Sequence, residues 1–327
     1  LLRMLFQCVH AEVRPISGTN ANEAVFSTYI RPGDIVMVNS TPGGGHISHQ
    51  RAGSVGKYTS NVVDFPLCEH GYSLDVAKTK DLIRRVRPKL IVMGKSLFLF
   101  PEPISEVKDV CERYNIPIVY DAAHVLGLIA GKQFQQPLKE GADVMVASTH
   151  KTFYGPQRGL ILSNLPNRDW KAIDKGAFPG SSSNHHLDTL PPLLIATCEM
   201  LAFGEDYAAQ VVRNAQALAA ALDTHGFNVQ MKDHGFTRSH QVAVDVSAQG
   251  GGSFVSNQLK ENDIVLNMNM LPHEPLSHHD NPAGVRIGTQ EMTRFGMKEA
   301  EMEQVADFIA AAVLRHQDVR AEVNKFR

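Results

Sequence analysis

A lysine stands directly after a buried-strand pattern in VMVASTHKTFYGPQRGLIL, residues 144–162, and a second apolar run follows. An ammonium group at a strand end, in a cleft of low dielectric, gives up its proton more easily than one in water. A neutral amine at working pH is what a Schiff base with an aldehyde requires, so Lys151 reads as a covalent anchor. Taken alone, most lysines are surface residues, and it is the neighbours that change this one. Thirty residues earlier, VYDAAHVLGL places Asp121 just past an apolar run, with His124 three residues on. A carboxylate there can pair with a protonated pyridine nitrogen and keep it charged, which lets pyridoxal phosphate (PLP) draw electrons from a substrate carbon. Alone, Asp121 is equally a helix cap or turn former.

Three further stretches bring complementary chemistry. SGTNANEAV sets Ser17, Gly18 and Thr19 at the start of a helical pattern, where free N–H groups and the helix dipole attract a phosphate. PGGGHISH supplies flexible backbone and His46, whose imidazole can stack on a planar ring; Gly43 to Gly45 could instead form a plain turn. His46 with His49 has no cysteine or carboxylate cluster at metal-site spacing, so no metal is expected. AGVRIGTQEMTRFGMKEAEM places Arg286 between Gly284 and Gly288, and its guanidinium fork suits a substrate carboxylate as well as it suits a surface salt bridge.

The elements that must position these residues are legible as apolar periodicity. Strands are expected at 35–38, 90–94, 116–120, 143–148 and 159–163, with helices between them, and Asn20 is expected to cap a helix carrying Val25, Phe26, Tyr29 and Ile30 on one face. Regular alternation means an α/β fold with a mostly parallel sheet covered on both faces, which binds ligands beyond the carboxyl ends of its strands. STPGGGH, DAAH and STHK then share one rim. Residues 187–224 read as two long helices parted at Gly204, and beyond them HQVAVDVS, NDIVLNMN, GVRIGTQ and a closing helix read as a smaller α+β domain. The expected domains are therefore 1–203 and 204–327.

Composition narrows the partners. A net charge of −2 gives no electrostatic reason to bind nucleic acid or an anionic membrane, and no apolar run approaches the ~20 residues of a span. Small-molecule substrates fit better. Cys8, Cys68, Cys111 and Cys198 are far apart and form no C-x-x-C, so buried free thiols in a reducing, cytoplasmic compartment are expected. The first residues carry no charged leader or cleavage site and do not begin with Met, as in a chain whose beginning is missing.

In order and spacing, S-G-T-x-A-N, G-G-H-x-x-H, D-x-A-H-x-x-G-L, S-T-H-K-T-x-x-G-P and G-x-R-I-G-T-Q-x-x-T-R-x-G-x-K-E-x-E resemble serine hydroxymethyltransferase, a fold-type I PLP-dependent transferase, over nearly the whole chain. FPGSSSNHHL and FTRSHQVAVDV look most like its archaeal and related bacterial branch. The resemblance implies that Lys151 binds the PLP aldehyde, Asp121 pairs with the ring nitrogen and His46 stacks on the ring. It further implies that His124 and Ser96 bond the phenolic oxygen, Gly18 and Thr19 the phosphate, and Arg286 with Ser17 the substrate, while Thr149, as a catalytic hydroxyl, and His150, as a cofactor contact, precede the lysine. A reduced pterin is expected near Gly45, Ile47 and Asn269, and the family implies a homodimer that shares its active site. The family's N-terminal segment, with its tyrosines and catalytic acid, has no counterpart here. Gln157-Arg158 and SSSNHH at 181–186 depart from the familiar folate-using pattern. A pterin-independent threonine aldolase or transaldolase on the same scaffold is the alternative reading, and a non-catalytic PLP fold a remote one.

Overall fold

Seven short strands make the larger sheet of the computed structural model, which describes residues 1–327. They are β1 (His10–Glu12), β2 (Val36–Val38), β3 (Val62–Asp64), β4 (Leu90–Met93), β5 (Ile118–Asp121), β6 (Val144–Ser148) and β7 (Gly159–Ser163), in the order β1-β7-β6-β5-β4-β2-β3. Neighbours from β3 to β6 run parallel, and β7 is antiparallel to both of its partners. Every residue of β2, β4, β5, β6 and β7 is buried, as expected of strands covered on two faces. Side chains alternate accordingly: Met37, Ile91, Met93, Tyr120 and Met145 enter one core, and Val36, Val38, Val92, Val119 and Val146 the other. From β2 the chain goes outward to β3 and returns to β4 on the opposite side, which opens a crevice at the carboxyl ends of β2 and β4.

Helix Gly18–Tyr29 follows β1 onto this rim. Its cap is Ser17, not Asn20: the extended backbone at Ser17 lets its Oγ accept from the Asn20 N–H, while Asn20 Oδ1 accepts from the Ile16 N–H. The expected break at Gly204 is also absent, for one continuous helix runs from Leu190 to Thr224. A side chain at Gly131 would come within 2.2 Å of the Gly204 carbonyl, so the two glycines allow two backbones to approach rather than ending a helix. The helix buries Leu193, Met200 and Val211 in the first core and Ala215, Leu218 and Leu222 in that of the smaller sheet, crossing the expected domain division. By length and composition alone it could cross a membrane, although Glu199 interrupts its apolar stretch; its buried residues pack into both cores.

The second sheet is antiparallel, with β8 (Asn228–Val229), β9 (Gln241–Asp245), β10 (Asn267–Asn269) and β11 (Gly284–Gly288) in the order β10-β11-β9-β8. Strand β10 is shorter than NDIVLNMN promised. The Asn262 and Ile264 N–H groups both donate to the Leu259 carbonyl and Asp263 is left-handed, so these residues close helix Gly252–Glu261 instead of extending a strand. All four cysteines are unpaired; Cys8 and Cys111 are buried as expected, but Cys198 is exposed on the long helix and Cys68 only half-buried.

Candidate active site

The rim gathers the residues that the strand ends deliver. Asp121 closes β5 and is 5% exposed. It accepts three hydrogen bonds: from Asn22 Nδ2 (2.8 Å), from His49 Nε2 (2.9 Å) and, at its other oxygen, from the Ala123 N–H (2.9 Å). Burial pushes this carboxyl up, but the bond and charge of His49, the Asn22 amide and the nearby His46 outweigh it and hold Asp121 below the usual carboxylate range. The group is therefore a fixed negative charge at this rim, and it is a turn former as well.

Lys151 lies three residues past β6, half-buried, with Nζ 3.5 Å from Ser148 Oγ. Burial lowers the pKa of its amine, Arg286 adds to this, and Asp121 opposes it. His46 is held low by burial against the pull of Asp121, with Lys151 and Arg286 acting in the same direction as burial. His124 is driven well down by burial, then by Lys151, Arg286, His240 and His46. Lys151, Asp121, His46, His124 and Arg286 thus act on one another's charge, and His124, Lys151 and Arg286 line one cavity.

Arg286 projects from β11 into the cleft, where Nη1 donates to the Ser96 carbonyl (2.8 Å) and Nη2 to Asn267 Oδ1 (3.2 Å). Burial brings its guanidinium down to about 10, still cationic at neutral pH. A cavity of about 610 Å³ is lined by His124, His150, Lys151, His240, Gln241 and Arg286 and continues toward the second sheet. A second cavity, of about 260 Å³, is lined by Gly45, Ile47, Ser96 and Asn269, so the three residues expected near a pterin do share one hollow.

Two expected residues behave differently. Thr149 is fully buried and its hydroxyl donates to the Pro156 carbonyl (2.5 Å), closing the 149–156 loop rather than facing the cleft. His150 is exposed at the mouth, its pKa lowered by partial desolvation from the surrounding protein and then by Lys151. Thr19 is exposed on the first turn of its helix and Gly18 is packed so closely that a Cβ would meet Ser148 Oγ at 2.4 Å. The sequence reading missed Asn22, His49, His240 and Gln241. All four stood in the motifs that carry the family resemblance, S-G-T-x-A-N, G-G-H-x-x-H and FTRSHQVAVDV, but none was given a role, His49 being weighed otherwise only as a metal ligand.

No metal-type cluster of histidine, cysteine and carboxylate occurs, whereas the donor set does match PLP. An amine of lowered pKa, a buried ionised carboxylate, two neutral imidazoles and a serine-capped helix start are the groups that an aldehyde, a pyridine nitrogen, a planar ring and a phosphate require.

Comparisons with known proteins agree. The sequence model described as Serine hydroxymethyltransferase matches residues 2–309. The serine hydroxymethyltransferase of Methanosphaera stadtmanae is 48% identical over 326 residues, covering 100% of this chain and 77% of that protein. That of Archaeoglobus fulgidus is 48% identical over 330 residues, 100% of this chain and 75% of that protein. Among solved structures, the L-threonine transaldolase of Pseudomonas fluorescens superposes with a TM-score of 0.89 at 29% identity, covering 99% of this chain and 72% of that one.

Proposed function

The chain belongs to the serine hydroxymethyltransferase family, and on that premise we propose roles for its residues in PLP-dependent interconversion of serine and glycine, with a reduced pterin, tetrahydrofolate or tetrahydromethanopterin, carrying the one-carbon unit. When bound, PLP supplies an aldehyde that joins an amine and a cationic ring that withdraws electrons. Lys151 is the amine that would hold the aldehyde, its lowered pKa favouring the neutral form. Asp121 keeps the ring nitrogen protonated, and its three donors keep Asp121 charged. His46 covers one face of the ring. His124 donates to the phenolic oxygen, with Ser96 beside it, and Gly18 and Thr19 offer the helix start to the phosphate. Arg286 binds the substrate carboxylate, with Ser17 a further substrate contact, and so orients the bond between Cα and Cβ for cleavage. Gly45, Ile47 and Asn269 receive the pterin.

The observation that carries this reading is the convergence of Lys151, Asp121, His46, His124 and Arg286 on one rim from the ends of β2, β5 and β6 and from the second sheet. A homodimer fits the apolar side chains of Leu194, Ile195, Leu201 and Phe203, exposed on the long helix, and unpaired cysteines fit a reducing cytoplasm. Likeness to a transaldolase supports a second reading, pterin-independent cleavage of β-hydroxy amino acids and passage of the glycyl group to another aldehyde. The test is serine-dependent transfer to each pterin beside acetaldehyde release from threonine. Faster pterin-dependent turnover of serine supports the first reading, and faster pterin-independent turnover of threonine the second.

A further inference from the structure

Gln241 opens β9 in the smaller sheet, is 2% exposed, and reaches across to the rim of the larger one. Its amide orientation is fixed by two backbone groups that each have only one possible role. The Phe98 N–H can only donate, and the amide atom 2.6 Å from it is Oε1. The Ser96 carbonyl can only accept, and the atom 2.9 Å from it is Nε2. The second hydrogen of that Nε2 then points at His124 Nδ1, 3.1 Å away. A nitrogen that faces an N–H must offer a lone pair, so His124 carries its proton on Nε2. The same Ser96 carbonyl accepts from Arg286 Nη1, so one backbone group ties the imidazole's partner to the guanidinium. His240 lies stacked beside His124, with ring centroids 6.1 Å apart, and its Nδ1 makes no hydrogen bond to Gln241 or to any other group.

We propose that Gln241 is a positioning residue that holds His124 as the neutral Nε2–H tautomer and thereby makes it a donor toward the cofactor's phenolic oxygen. The proposal rests on the role given above to His124. A protonated Nδ1 would set N–H against N–H, which agrees with the low pKa that burial imposes on this imidazole.

The test is ¹⁵N NMR of histidine-labelled, PLP-loaded protein, joined to absorbance of the bound cofactor against pH. Wild type should show His124 neutral and protonated on Nε2. Gln241→Glu, which puts an acceptor in place of the donor, should move a proton to Nδ1 and shift the absorbance titration. Gln241→Leu should lower kcat about 10-fold or more, in the range seen when a histidine loses its orienting partner, with little change in the KM for serine. An Nδ1–H tautomer in wild type overturns the proposal even if no variant folds. So does an unchanged tautomer and titration in both Gln241 variants while His124→Gln shifts the band. If His124→Gln leaves the band unmoved, the cofactor role of His124 fails instead, and the wild-type tautomer still decides the part played by Gln241.

Discussion

Nε2 of His49 donates to Oδ2 of Asp121 at 2.9 Å, joining the glycine-rich loop after β2 to the end of β5 across 72 residues of sequence. His49 is fully buried, so the bond is shielded from water and supports a charge that burial alone would neutralise. His49→Leu should lower unfolding free energy by about 1.5–3 kcal/mol, the worth of a hydrogen bond to a charged group, and weaken PLP binding. His49→Gln keeps a donor and should lose less on both counts. Denaturant titration and PLP titration check this; equal losses in the two variants would contradict it.

Gly18 sits where a Cβ would meet Ser148 Oγ at 2.4 Å, the same oxygen that lies 3.5 Å from Lys151 Nζ. Gly18→Ala should destabilise by about 1–3 kcal/mol through overpacking at the lysine's base. Ser148→Ala removes the obstructing oxygen, so the double variant should recover much of the loss, a coupling of about 0.5–3 kcal/mol for residues in contact. Thermal melts of the four proteins measure it, and strictly additive effects would rule out the contact.

Acid should weaken the fold through His240. Burial lowers its pKa to about 3, so the folded imidazole stays neutral while the unfolded one takes up a proton below its ordinary 6.5. The stability it permits is present above about 6.5 and is lost as pH falls toward 3, at about 1.4 kcal/mol per pH unit. Unfolding free energies at pH 7.5 and 5.5 should fall with pH in wild type and fall less in His240→Phe. An identical slope in the variant would mean that His240 is charged or solvated in the folded protein.

Arg286→Lys should raise the KM for serine about 10-fold, the loss of one charged bond from a two-pronged contact, with the bound-cofactor absorbance retained. Steady-state kinetics at saturating PLP separates this from a damaged cofactor site. An unchanged KM would remove Arg286 from carboxylate binding.

How much of this was readable without coordinates differs by kind. Parallel strands declare themselves because burial on both faces makes them short apolar runs, and their carboxyl ends then carry Asp121 and Lys151 to one rim. Helix limits were less legible. Gly204 looks like a stop in sequence, but its lack of a side chain serves the close approach to Gly131, a contact between segments remote in the chain. Cap choice failed for a similar reason: Ser17 and Asn20 both suit a helix start, and the extended backbone at Ser17 decides between them. The supporting polar residues stood in the family motifs, but their roles were not legible there. Gln241 looks like any residue of an alternating strand until Phe98, Ser96 and His124 arrive from two other loops to meet its amide. Thr149 shows the converse, a hydroxyl beside the key lysine that the loop itself uses.

The central claim is that one amine, Lys151, joins the aldehyde of PLP. Borohydride reduction of the loaded protein, followed by digestion and mass mapping, tests it directly. The account predicts the pyridoxyl phosphate mass on the peptide that contains Lys151, and its disappearance together with the visible absorbance band in Lys151→Ala. The mass on another lysine, such as the buried Lys95, or a band that survives in Lys151→Ala, would contradict it.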